Sequence, residues 1–166
     1  MKNMQKLVSL GAASMMLLVP AFAGRRPART VTVTILRIHQ IDNLDKGDAL
    51  KKDRADFYAN VKIGNGPLEK SENQSDDDAR PGWKFRGTSS SRYVPIRIKI
   101  DDDDGGLEKK DDYVDVNPRA GRKDLNIVLD TKTGRISGDA HGKWGQKIYT
   151  AGAGDSDRAE LWFMVK

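Results

Sequence analysis

The 166-residue chain has no cysteine. That excludes a disulfide framework and a thiol-attached lipid anchor, so stability rests on an apolar core, or on a core plus bound ions. Only two histidines occur, His39 and His141, and neither stands at metal-ligand spacing from a partner. With no cysteine beside them, the usual zinc ligand sets are excluded. Long apolar runs are missing beyond the N-terminus, where nothing approaches the roughly 20 residues that a membrane-spanning helix needs. No stretch carries a sustained helical stripe, and aromatics make up only 7% of the chain.

Residues 1–23 read as a secretory signal. Lys2 and Lys6 supply a positive start, Leu7 to Leu18 are mostly apolar or small, and Ala21-Phe22-Ala23 has the form of a cleavage site. The expectation is an exported protein, periplasmic or secreted, with a basic tail at 24–29 (Arg25, Arg26, Arg29) and one domain over 30–166. About 143 residues after the signal suffice for one ordinary interior. Without the signal's two lysines, 27 basic side chains face 24 acidic ones, a formal charge of +3. No contiguous basic face emerges, so nucleic acid is not an expected partner.

Short alternating segments dominate the rest of the chain. Thr30 to Ile41, TVTVTILRIHQI, places Val31, Val33 and Ile35 on one face, while Leu36 and Ile38 fall on the other parity. A bulge, or a strand buried on both faces, reconciles them. Phe57, Ala59, Val61 and Ile63 share a face in a second strand, and Trp83 and Phe85 mark a third. Val94, Ile96, Ile98 and Ile100 alternate with Arg97 and Lys99 in the clearest half-buried strand. Leu125, Ile127 and Leu129 continue the pattern, and Asp130-Thr131-Lys132-Thr133-Gly134 closes a hairpin onto Arg135 to Gly138. Trp144 to Thr150 and Ala159 to Val165 supply the last two strands. Seven or eight short strands at this spacing predict an all-β sandwich.

Acid is concentrated in three windows: Asp42 to Asp56, Asp76 to Asp78, and Asp101 to Asp104 with Asp111, Asp112 and Asp115. Two unit charges about 4 Å apart repel by about 4 kcal/mol at an effective dielectric near 20. Such a run is either splayed into water or holds a cation. Strand counting puts all three windows at one end of the sandwich, and continuing the isoleucine parity puts Asp102 and Asp104 on the core side, with Asp101 and Asp103 opposite. Hard cations such as calcium take six to eight oxygen ligands and suit carboxylates on loops. An EF-hand fails, because its fifth position falls on Gly105 and its flanks are strand. A carboxylate-metal hydrolase lacks an evident nucleophile or base. Among the aromatics, Trp83 and Trp162 sit in strand patterns, whereas Trp144 is the best exposed candidate for a sugar or lipid contact. Asp155, Asp157 and Arg158 read as a salt-bridged loop brace.

The order of Asp56-Phe57-Tyr58-Ala59-Asn60-Val61, Pro81-Gly82-Trp83 and an alternating strand ending in Asp102-Asp103-Asp104 resembles the C2 domain, a calcium-dependent β-sandwich module. The wording VPIRIKIDDDDGG, DDYVDVNP, ISGD and GDSDRAELWF is similar to exported microbial C2-like domains. The resemblance covers roughly Val31 to Val165 and implies an eight-stranded antiparallel Greek-key β-sandwich. It implies a calcium site built from Asp56, the pair Asp102 and Asp104, Asp111 or Asp112, and Asp45 or Asp48 from the first loop. Asp77 falls in the second loop as a secondary ligand or part of an attracting field. Phe57 stands where the family usually has proline, and the first loop is longer than the usual pattern.

The function expected from this resemblance is that of a non-enzymatic, monomeric module binding one to three calcium ions. Lys109 and Lys110 at the tip of the third loop suit an anionic partner, whether lipid, glycan or protein. The alternatives are a calcium-dependent carbohydrate or envelope-binding module and the carboxylate-metal hydrolase.

Overall fold

A computed structural model describes residues 27–42, 44, 54–103 and 111–166. The expected signal at 1–23, the start of the basic tail at 24–26, and Asp45, Asp48, Asp104, Lys109 and Lys110 lie outside the described residues.

Alternation in the sequence becomes strand throughout, and the described residues contain no helix. In chain order the strands are β1 (Arg29–Gln40), β2 (Asp56–Ile63), β3 (Leu68–Lys70), β4 (Gln74–Ser75), β5 (Asp78–Ala79), β6 (Trp83–Ser89) and β7 (Tyr93–Asp102). They continue with β8 (Asp112–Val114), β9 (Leu125–Asp130), β10 (Arg135–Gly138), β11 (Gly142–Lys143), β12 (Lys147–Ala151) and β13 (Ala159–Val165). Eight of these have four or more residues, the number expected for the sandwich.

Two antiparallel sheets face each other. One runs β12-β13-β1, with β6 and then β5 paired along the free edge of β1. The other runs β11-β10-β9-β7-β2, with β3 and β4 beyond β2, and with β8 continuing beside β7 where β9 ends. The interior is the set of alternate residues that period two selects. Val94, Ile96, Ile98 and Ile100 of β7, Leu125, Ile127 and Leu129 of β9, and Leu161, Phe163 and Val165 of β13 are all buried. Hydrophobic transfer of these rows, about 25 cal/mol per Å² of apolar area, is the main drive for closing the sheets on one another.

The parity conflict in β1 resolves as a bulge. Its pairing with β13 shifts between Ile35 and Arg37, so that Val31, Val33, Ile35 and then Ile38 all reach the core. One extra residue re-aims the strand and sends Arg37 and His39 to the outer face. The strand expected from Trp144 begins later, at Lys147. Gly145 has φ of 78°, and the Gln146 amide donates to the Lys143 carbonyl at 3.0 Å. This tight turn lifts Trp144 out of the sheet, where it is 38% exposed.

The core assignment predicts that Ile98→Ala costs about 2–5 kcal/mol, the range for truncating a fully buried isoleucine. The exposed Lys62→Ala on the adjacent strand should stay within about 0.5 kcal/mol. Urea unfolding of both variants measures the difference as a displaced midpoint at unchanged slope.

Candidate functional site

Antiparallel pairing carries the ends of β1 and β7 and the beginning of β2 to the same pole. The Gln40 amide donates to the Asp77 carbonyl at 2.9 Å, and the Asp76 amide donates to the Ala55 carbonyl at 3.0 Å. The Ala55 amide in turn reaches the Asp77 side chain at 3.2 Å, and the Asp103 amide donates to the Asp56 carbonyl at 3.0 Å. All three acidic windows therefore meet, through the residues of each that the structure describes. Asp77 serves this convergence as a brace, holding the entry to β2 against the exit from β1.

At the centre stands Asp102. It is 1% exposed and sits in register between Phe57 of β2 and Asp112 of β8. Its parity is that of Ile98 and Ile100, so the strand that builds the core delivers this carboxylate to the core's acidic end. The Asp56 amide donates to Asp102 Oδ1 at 2.5 Å, which ties the start of β2 to this carboxylate. Asp111 lies just before β8 and accepts a hydrogen bond from the Tyr58 hydroxyl. Burial, with that hydrogen bond second, pushes the Tyr58 phenol above its ordinary range. The Lys70 ammonium lies 3.6 Å from the same ring, a cation–π contact on the outer face of the sheet.

Asp101 and Asp103 have roles that parity alone does not assign. Asp101 is 1% exposed although it points away from the core. Lys99 pairs with it at 2.5 Å, Asn60 Nδ2 donates to it at 2.8 Å, and Tyr58 and Tyr113 flank it in the neighbouring strands. Long side chains on the outer face cover it, so its charge is balanced by lysine. Asp103 accepts from the Asn73 side chain.

The acidic end thus divides into two groups. Arg158 grips Asp42 with two guanidinium contacts, at 2.9 and 2.8 Å, and adds its own amide at 3.0 Å. Arg37 pairs with Asp78, holding that carboxyl below the usual range, and Lys123 pairs with Asp157 at 3.0 Å. Arg37 also lies over the Trp162 ring at 4.4 Å, with Tyr149 against the same ring at 5.0 Å, which places Trp162 on the sheet surface. By contrast, no ion pair among the described residues engages Asp56, Asp111 or Asp112. Of the expected brace at Asp155, Asp157 and Arg158, Asp157 pairs with Lys123 and Arg158 is paired across the pole to Asp42 at the start of the first loop.

Oxygen donors of this kind match a hard cation, and calcium is the one that the resemblance implies. Among the described residues no three acidic or histidine side chains stand close enough to hold a metal ion. The Asp56 amide meets the Asp102 carboxylate, Asp112 lies beside Asp102 in register, and Asp111 is turned toward Tyr58; the other three ligand candidates are outside the described residues.

A support that sequence reading missed lies behind the site. Asp115 and Asn117 are 1% and 0% exposed. Asp115 Oδ1 accepts from the Asn117 amide at 2.9 Å, and Oδ2 accepts from the Gly154 amide at 2.7 Å. Asn117 then accepts from the Arg119 amide at 2.9 Å and donates to the Asp124 carbonyl at 2.5 Å. A Cβ on Gly152 would collide with the Asp115 carbonyl oxygen, so only glycine lets the two loops approach this closely. The Asx spacing in Asp115-Val116-Asn117 was the available signal for a turn, though not for its burial.

No protein-family model and no curated protein matches the sequence. Solved structures do match the fold. A C2 domain of plant extended synaptotagmin 1 superposes with a TM-score of 0.51 at 15% identity, over 85% of this chain and 95% of that one. The tandem C2 domains of extended synaptotagmin 2, calcium bound, match with a TM-score of 0.53 at 11% identity, over 82% of this chain and 44% of that one. Human GIVD cytosolic phospholipase A2 matches with a TM-score of 0.47 at 16% identity, and this chain spans 17% of its length.

The side-chain network has two measurable consequences. Asp115→Ala strands the buried Asn117 amide, at about 1–3 kcal/mol, and the half-buried Gly154 amide, and should lower the urea midpoint accordingly. The lowered carboxyl of Asp78 contributes stability that is present above the ordinary aspartate value of about 3.9 and lost as pH falls through the folded-state value. Unfolding curves recorded below about pH 4 should therefore show a smaller acid-dependent loss for Asp78→Asn than for the parent chain.

Proposed function

Because the chain folds as a C2 domain, we propose that it works as an exported, non-catalytic calcium-binding module whose aspartate pole joins the ion to an anionic partner. The observation that carries this reading is the division of the acidic end. Arginine and lysine neutralise Asp42, Asp78, Asp101 and Asp157, whereas Asp56, Asp111 and Asp112, at the same pole as the buried Asp102, make no ion pair among the described residues. Carboxylates left without a basic partner at one pole favour a cation there.

Asp56 and Asp102, with Asp104, Asp111 or Asp112, and Asp45 or Asp48, are the proposed ligands. Calcium held by these residues would supply positive charge that offsets their repulsion and attracts an anionic oxygen of a lipid, glycan or protein. Tyr58 holds Asp111 in orientation through its hydroxyl, and the Asp56 amide fixes one oxygen of Asp102. Lys109 and Lys110 are assigned to the same partner. Export rests on the signal-like residues 1–23. Among the described residues no helix is long and apolar enough to cross a membrane.

Calcium that binds only the native state stabilises it by about 2.7 kcal/mol when the free ion is a hundred times Kd. Thermal unfolding with and without millimolar calcium should show a rise in Tm that Asp102→Asn or Asp104→Asn largely removes. Asp130→Asn, in a pair with Arg92 away from the acidic pole, should lower the baseline Tm and keep the calcium response. An unchanged Tm in calcium, together with no heat in calorimetric titration, rules the proposal out.

A further inference from the structure

The opposite pole of the sandwich carries a second cluster, of the reverse character. β1 runs twelve residues from Arg29 to Gln40, so its start lies on the order of 36 Å from the aspartate end at about 3.3 Å per residue. There Arg29, the β6–β7 turn and the β9–β10 turn close a cleft of about 280 Å³, lined by Pro27, Arg29, Ser89 to Ser91, Thr131 and Lys132.

Three properties of this cleft point to one ligand chemistry. The first is uncompensated positive charge. Arg29 and Lys132 make no ion pair among the described residues, and the adjacent carboxylate is already committed. Asp130 receives Arg92 through both oxygens, at 3.1 and 2.9 Å, and also accepts from the Lys132 amide at 2.9 Å. The Arg92 hydrogen bond holds the Asp130 carboxyl well below the usual range, so it stays paired and charged with its own arginine.

The second property is donor geometry. One Arg29 N–H is spent on the Thr131 carbonyl, at 2.7 Å, which fixes the guanidinium at the rim with its other N–H groups still to be placed. Ser89 Oγ accepts from the Ser91 amide at 3.1 Å, so its own proton is available to donate, and Ser90 adds a further exposed hydroxyl. Donors thus arrive from three separate segments, as a tetrahedral oxyanion requires, and a guanidinium fork with hydroxyls suits phosphate in particular.

The third property is rigidity. Arg29 is in register with Ser89, the Thr131 amide donates to the Arg92 carbonyl at 2.8 Å, and the Gly134 amide donates to the Asp130 carbonyl at 2.7 Å. The Thr131 hydroxyl bonds the Ser91 carbonyl at 3.3 Å, joining the two turns directly. A cleft whose walls are held by the sheet loses little conformational entropy when an ion enters.

We propose that this cleft is a phosphate-binding site, with Arg29 and Lys132 as the charged contacts and Ser89 and Ser90 as hydroxyl donors. It is independent of the aspartate pole, and it makes the domain two-ended: a cation at one end and a phosphate group at the other.

The test is a ¹H–¹⁵N titration of the protein with inorganic phosphate, with chelator present throughout so that calcium plays no part. Amides of Ser89 to Ser91, Thr131 and Lys132 should shift saturably while those of Asp56 and Asp102 stay still. The double variant Arg29→Gln, Lys132→Gln should bind at least about tenfold more weakly, the loss expected when a charge-assisted hydrogen bond is removed. Both residues are exposed, so a spectrum otherwise superposable on the parent's shows that the fold is intact. Flotation with vesicles containing phosphatidic acid, against phosphatidylcholine alone, separates the sources of the group. Flotation that depends on Arg29 and Lys132 assigns a lipid headgroup, whereas saturable phosphate binding without flotation assigns a soluble phosphate. Shifts that fail to saturate, spread over the whole basic surface or persist in the double variant overturn the proposal.

Discussion

The pairing of β2 with β7 is the constraint on which the rest of the molecule depends. Seven consecutive pairs, from Phe57 with Asp102 to Ile63 with Ile96, lock the two central strands of one sheet. With this register Val61 meets Ile98 and Ala59 meets Ile100 on the core face, and the same alternation brings Asp102 to the end of that face beside the Asp56 amide. A slip of one residue turns every side chain of a strand to the other face. It would expose Val94, Ile96, Ile98 and Ile100 and separate Asp102 from Asp56, so the apolar core and the acidic site are specified by one choice of register.

Charge is arranged at the two poles by the same framework. At the aspartate end, basic residues from neighbouring strands and loops come in from the outer faces: Lys99 for Asp101, Arg37 for Asp78, Lys123 for Asp157 and Arg158 for Asp42. Each pair relieves part of the repulsion that so many carboxylates create, which allows strands to end in acid without unravelling. At the far end the proportions are reversed, with Arg92 and Asp130 balanced against each other and Arg29 and Lys132 left over.

Local rules made much of this legible. The alternation in β7, β9 and β13 needs only the period of a strand, and the Asp130 to Gly134 hairpin needs only its turn residues. The parity break at Leu36 announced the bulge in β1, although it left a strand buried on both faces equally open. Convergence of the three acidic windows came from counting strands, because an antiparallel sandwich returns alternate loops to the same end. Legibility failed where a side chain's environment is made by a residue far away in the chain. Asp101 reads as an outward-pointing, solvated carboxylate until Asn60, Lys99 and the two tyrosines are laid over it. Arg158 reads as a partner of its neighbours Asp155 and Asp157 until the start of the first loop arrives beside it.

The sequence by itself determined the class of fold, the faces of the principal strands and the pole at which acid collects, because period, parity and turn chemistry act over a few residues. Tertiary structure decided which carboxylates are paired with arginine or lysine, how deeply Asp101, Asp115 and Asn117 are buried, and which serine, arginine and lysine share the cleft at the opposite end. Those outcomes depend on hydrogen bonds and ion pairs between segments as distant as Asp42 and Arg158. Only the closing of one sheet on the other brings such segments within reach.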